Sequence, residues 1–178
     1  ANEDARWRIR IVENLLSITR IGAQGDDTKV TKTLAVAEEV IEGAVAKFTK
    51  RGDQLPVHVH LPQEVLLVPM DELLIEQVLL NLLENAAIHG EGATEIDVTL
   101  ERHDDMARIT VEDNGVGIAH DKLNNLFDSS AHQSQQGDRK RNMGIGLSVC
   151  KTVMQAHDGT IRGENVSRQI GRASCRER

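Results

Sequence analysis

Asn81 and Asn85 stand four residues apart, so a helix that carries them projects both amides from one face. Two stacked amides can coordinate Mg²⁺ and hydrogen-bond phosphate oxygens without adding negative charge beside a triphosphate. Leu79, Leu82, Leu83 and Ala86 supply the apolar side of the same helix. Asparagine is a poor interior helix former, so two in one helix need some compensation. Further along, Asp113-Asn114-Gly115-Val116-Gly117-Ile118 follows a strand pattern directly. A carboxylate there can accept a hydrogen bond from an exocyclic amine, and glycines let backbone approach a flat ring. A third cluster, Gly144-Ile145-Gly146-Leu147, precedes an expected helix, whose free N–H groups would favour phosphate. Arg139, Lys140 and Arg141 lie just before it and can neutralise phosphate charge. Each cluster has a plainer reading: surface asparagines, an Asn-Gly turn, a solvated basic run.

Other chemistries are absent. The Gly144 cluster lacks a preceding strand and a third glycine, so it is not a dinucleotide fingerprint, and no Gly-Lys-Ser/Thr ending makes it a Walker loop. The seven histidines show no HExxH or other metal spacing and read as surface residues. No GxSxG or Cys/His pair supports nucleophilic hydrolysis. Cys150 and Cys175 give neither metal spacing nor a disulfide framework, which suits a reducing cytosol.

The chain has 178 residues, enough for one domain with a real core. Aromatics make up only 2%, so that core is aliphatic. A net charge of −7 argues against general nucleic-acid binding, which needs a basic surface. No apolar run reaches the roughly 18–20 residues of a transmembrane helix, and no secretory signal is visible.

The elements that must position these residues follow from periodicity. Residues 4–21 read as a helix with a narrow stripe of Trp7, Ile11, Leu15 and Ile18, which suits a partner helix. The polar, Gly-containing stretch 22–28 breaks it. Thr33–Lys50 reads as an amphipathic helix, Val57–Leu61 and Val65–Val68 as short strands, and Asp71 as the cap of a helix running to about His89. Glu95–Glu101 and Arg108–Glu112 alternate as a hairpin about a turn at 103–105. Residues 129–142 read as a mobile polar loop, Ile145–His157 as a helix and Thr160–Glu164 as a strand. Helices on one face of a mixed sheet make an α/β sandwich.

In this order and spacing the three clusters resemble the N, G1 and G2 boxes of the GHKL ATP-binding domain of sensor histidine kinases. Val12–Arg20, Val68–Asp71, Leu74–Leu79 and Ser148–Thr152 are most similar to KdpD-type potassium or turgor sensor kinases. The resemblance implies a two-layer α/β sandwich of the Bergerat type over residues 25–169, after the end of a dimerisation helix at 1–24. Residues 170–178 resemble a translated sequencing adapter and are set aside as an artefactual tail.

The resemblance also implies site roles. Asn85 would coordinate Mg²⁺, Asn81 would assist at the phosphates, and Asp113 would read the adenine amine beside Gly115 and Gly117. His89, Arg141, Gly144, Gly146 and Leu147 would complete the nucleotide site. Leu126-Phe127 matches the F box, and 129–142 the ATP lid. ATP-hydrolysing relatives carry a glutamate base where Asn81 stands, and an amide cannot accept a proton at neutral pH. Three residues depart from the pattern: Ile88 for a basic residue, Asn142 for a lid glycine and Asp158 for the glycine of His-Gly-Gly. Aspartate tolerates the left-handed backbone that such a glycine adopts. No histidine has the surroundings of a phospho-acceptor, so that group is expected upstream. The implied partners are ATP, a response-regulator receiver domain and a second copy joined through the N-terminal helix, with no nucleic acid and no membrane contact by the chain itself. The implied setting is the cytoplasmic part of an inner-membrane sensor kinase. Two alternatives stay open: a GHKL ATPase, and a degenerate nucleotide-binding scaffold.

Overall fold

The computed structural model describes residues 9, 12–19, 21, 30–52, 55–128 and 138–166, with 138–145 as backbone only. Among the described residues, five strands and four helices follow a helical segment at 12–19: β1 Thr33–Val36, α1 Ala37–Lys50, β2 Val57–His60, β3 Leu67–Met70, α2 Glu72–His89, β4 Ile96–His103, β5 Met106–Asp113, α3 His120–Leu123 and α4 Asp138–Ala156. The order β2-β4-β5, parallel then antiparallel, makes a mixed sheet. β1 and β3 pair separately and antiparallel.

The alternation along β4 sorts its side chains. Ile96, Val98 and Leu100 are buried under the helices, while Asp97, Thr99 and Glu101 face outward. Asp113 stands opposite Ile96 and so lies on the helix-covered side at the end of β5. α1 contributes Val40, Ile41, Ala44 and Phe48 to the core, α2 contributes Leu74, Val78, Leu79 and Leu83, and α4 contributes Val149, Cys150 and Val153. Each of the Val, Leu, Ile and Phe side chains among them contributes about 1.5–3 kcal/mol by leaving water.

The start of α2 is fixed twice. Asp71 Oδ1 accepts from the N–H groups of Leu73 and Leu74 at 3.1 and 3.2 Å. Its own N–H donates to His157 Nε2 at 3.0 Å, while His157 Nδ1 lies 2.7 Å from the Val153 carbonyl. That pair assigns the proton to Nδ1. His157 therefore joins α4 to the cap of α2, which corrects its reading as a plain surface residue.

The observed elements differ from expectation in four places. Residues 33–36 form a strand before α1, because β1 finds a partner in β3. β3 runs through Pro69, which the edge of a two-stranded ribbon tolerates since it needs no donor there. Residues 161–164 form no strand. α4 begins at Asp138, well before the expected Ile145. Two glycines cost a helix only about 1 kcal/mol each, and the Arg-Lys-Arg run before them favours it. Residues 129–137 of the expected lid, and the tail at 170–178, lie outside the described residues.

Candidate nucleotide site

Asp113 closes β5 and turns the chain toward the helices. Its Oδ1 accepts the Gly115 N–H at 2.9 Å, and Val116 N–H donates to the Glu91 carbonyl at 3.0 Å. This brings the loop after β5 against the residues that follow α2. The approach is close enough to exclude side chains. A Cβ on Gly115 would lie 2.8 Å from Asp113 Oδ1 and 2.9 Å from the Glu91 carbonyl. Gly117 has φ +83, in the left-handed region, and a Cβ there would lie 2.8 Å from Asn165 Oδ1. The two glycines expected beside a ring are thus required by backbone geometry as well.

Asn114 fastens the loop to the start of β4. Its Oδ1 accepts from Thr94 N–H at 2.7 Å and Glu95 N–H at 3.2 Å, and its Nδ2 donates to Thr94 Oγ1 at 2.8 Å. The sequence offered Asn114 only as part of an Asn-Gly turn and gave Gly90 no role. A Cβ on Gly90 would lie 2.4 Å from the Ala86 carbonyl and 3.0 Å from Asp113 Oδ1. The position just past His89, where a helix ends, was a usable signal for Gly90.

The two asparagines of α2 part company. Asn85 is half-buried, and its amide has no side-chain partner among the described residues. Asn81 is 2% exposed. Its Nδ2 donates to Asn14 Oδ1 at 2.9 Å and to the Gly146 carbonyl at 3.3 Å, and its Oδ1 accepts from Gln77 Nε2 at 3.3 Å. The expected direct contact of Asn81 with phosphate is therefore revised. The amide faces inward and joins α2 to α4 and to the N-terminal helical segment.

Gly144 and Gly146 lie inside α4, so the expectation that free N–H groups of a helix start surround them is corrected. Leu147 is 1% exposed and packs in the interior, where its side chain has no access to a ligand. His89 is the last residue of α2 and half-buried. The side chain of Arg141 lies outside the described residues. On the buried side of α4, burial pushes the Cys150 thiol up to about 12, with the hydrogen bond to Asn81 pulling the other way.

Leu126 is buried and Phe127 packs against the core. Asp128 then pairs with Lys151 of α4. Asp158 has φ 59 and pairs with Lys32 at 2.6 Å, so aspartate does occupy a left-handed position here. A second ion network joins the N-terminal segment to the domain: Arg51 contacts Glu13 at 3.3 Å and also pairs with Glu84 of α2.

Among the described residues no group of three or more His, Cys, Asp or Glu can hold a metal by itself, and no helix is long and apolar enough to cross a membrane. Asn85 offers one amide oxygen. That suits Mg²⁺ arriving on a nucleotide, since this ion keeps waters and phosphate oxygens as its other ligands.

The family model described as histidine kinase-, DNA gyrase B- and HSP90-like ATPase matches residues 70–174. The sensor protein KdpD of Clostridium acetobutylicum is 36% identical over 92% of this chain and 18% of its own length. KdpD of Escherichia coli is 31% identical over 88% of this chain and 17% of its own. The catalytic domain of histidine kinase ThkA superposes with a TM-score of 0.63 at 25% identity, over 78% of this chain and 89% of that one. The chain spans less than a fifth of the length of the two KdpD proteins, which are 18% and 17% covered.

Proposed function

The chain belongs to the histidine kinase-, DNA gyrase B- and HSP90-like ATPase family, and we propose that it is the ATP·Mg²⁺-binding catalytic domain of a protein-histidine kinase. In a longer protein it would deliver the γ-phosphoryl of ATP to a histidine, from which a response-regulator aspartate receives it. One observation carries the choice between transfer and hydrolysis. Position 81, where a water-activating carboxylate would be needed, holds a buried amide that donates to Asn14 and Gly146. With no base there, water is not activated, and the site works by positioning and charge neutralisation.

In this reading Asp113 accepts from the adenine amine, with Gly115 and Gly117 beneath the ring. Asn85 holds Mg²⁺ against the phosphates. Asn81 acts one step back, keeping α2 in register with the Gly144–Gly146 segment. His89 and Arg141 remain assigned to the nucleotide, and Gly144 and Gly146 contribute through backbone. The acceptor histidine belongs to another segment or chain. A second copy would join through the exposed apolar side of residues 12–18, which presents Val12, Leu15, Leu16 and Ile18. Potassium or turgor sensing and membrane anchoring of the longer protein rest on likeness to the KdpD proteins alone.

The test is phosphotransfer in trans. The chain is mixed with γ-labelled ATP and a separate KdpD-type dimerisation helix that carries its histidine. Acid-labile label on the helix, lost with Asn85→Ala, supports the proposal. Release of free phosphate with an unlabelled helix favours an ATPase instead.

A further inference from the structure

We infer that Asn165 is a positioning residue for the base-binding loop, an inference that rests on the nucleotide reading above. Three observations meet at this side chain. Its Oδ1 accepts the Ile118 N–H at 2.8 Å. Its Nδ2 donates to the carbonyl of the same residue at 2.5 Å. The space a Cβ would need at Gly117 is taken by Asn165 Oδ1, 2.8 Å away, and Gly117 sits at φ +83.

The pair of bonds to one residue works as a strand partner would, but it comes from a side chain 47 residues away. It holds both the N–H and the C=O of Ile118, so it fixes the orientation of that peptide as well as its distance. The other side of the loop is already held. Asp113 accepts from Gly115, Asn114 fastens to Thr94 and Glu95, and Val116 donates to Glu91. Gly117 lies between these anchors and Ile118, at the one loop position with a left-handed backbone. Without Asn165, the loop would be pinned at its start and free at its end.

Asn165 reaches this place because the segment after α4 crosses the F box. A Cβ on Gly163 would lie 2.6 Å from Leu126 Cδ2, so backbone passes directly over Leu126. The segment forms no strand there, yet it ties the F box to the base loop. The ligand class that profits is an adenine nucleotide, because Asp113 can discriminate between bases only if the loop beyond it holds its shape. Asn165 does not touch the base; it acts through Gly117 and Ile118.

The experiment compares the 178-residue chain with Asn165→Ala and Asn165→Ser by three readouts: thermal melting, Mg·ADP and Mg·GDP binding by calorimetry, and amide hydrogen exchange at Ile118. Serine retains a single short hydrogen-bonding group. The expected result for Asn165→Ala is a roughly five- to tenfold weaker Mg·ADP affinity, the scale of one or two net hydrogen bonds. The ADP-to-GDP preference narrows and Ile118 exchanges faster, while the melting transition barely moves. Asn165→Ser falls between. A merely structural residue would shift melting and leave the base preference intact, and that result overturns the inference. Unchanged exchange at Ile118 overturns it too, whatever the nucleotide does. A wild-type chain that melts cooperatively but binds no Mg·ADP would instead overturn the nucleotide reading and remove the ligand half of this inference.

Discussion

Asn81 Nδ2 donates to Asn14 Oδ1 at 2.9 Å across 67 residues of sequence, with both side chains buried. This hydrogen bond sets how the N-terminal helical segment sits. Asn14, Ser17 and Ile21 face the domain, and Val12, Leu15, Leu16 and Ile18 face away. The segment thus docks through Asn14 and Ser17 together with the apolar Ile21, and leaves Val12, Leu15, Leu16 and Ile18 exposed. Asn14→Ala leaves one donor of Asn81 unmet in the interior, a loss of about 1–3 kcal/mol. Urea unfolding should show that decrease at unchanged slope. An unchanged midpoint would mean that the segment does not hold this position.

Arg51 pairs with Glu84, whose side chain is 8% exposed, and with Glu13 of the N-terminal segment. Breaking a largely buried pair from one side strands the other charge. Arg51→Met should therefore destabilise the domain by about 1–3 kcal/mol, a range that allows for the partial exposure of the guanidinium. Adding Glu84→Leu should recover most of that loss, since an apolar replacement removes the stranded carboxylate. A double variant no more stable than the single one would contradict this account.

Cys150 should make stability fall at alkaline pH. Its thiol is raised from 9.0 to about 12, mainly by burial. The unfolded chain ionises near the lower value, so through that window it releases a proton that the folded chain retains. The contribution is whole below 9.0 and is lost as pH rises toward about 12. The destabilisation caused by Cys150→Ala should accordingly be smaller at about pH 10.5 than at about pH 8. Equal values at both would show a thiol with ordinary access to water.

Asn81→Ala and Asn85→Ala should separate cleanly. The first removes hydrogen bonds to Asn14 and Gly146 and lowers the melting temperature. The second removes no bond among the described residues, so it should leave melting unchanged and weaken Mg²⁺-dependent nucleotide binding at least tenfold, the scale of one charge-assisted ligand contact. Melting and calorimetry on the two variants check this. Equal loss of stability in both would show that the two amides do one structural job.

Much of this was legible from periodicity and short-range chemistry. The hairpin of β4 and β5 and the Asp71 cap each depend on a few neighbouring residues, whereas the left-handed Asp158 was expected from the family resemblance. The strand at Thr33–Val36 was hidden because its apolar spacing also fits the helix that follows, and only its pairing with β3 decides between them. The early start of α4 was hidden because two glycines look like a stop yet cost less than the surrounding helix formers supply. Asn14, Asn114 and Asn165 were illegible for a different reason. Each acts through partners 19 to 67 residues away, which neither a lone asparagine nor the Asn114-Gly115 turn signal reveals. The same long-range contact turned Asn81 inward, which spacing along one helix cannot reveal.

The most direct test of the central claim is Mg·ADP binding by calorimetry on the chain beside Asp113→Asn and Asn85→Ala. Mg²⁺-dependent binding should be lost in both variants while each keeps the wild-type melting transition. A cooperatively folded chain that binds no Mg·ADP, or variants that bind as well as the parent, would contradict that claim.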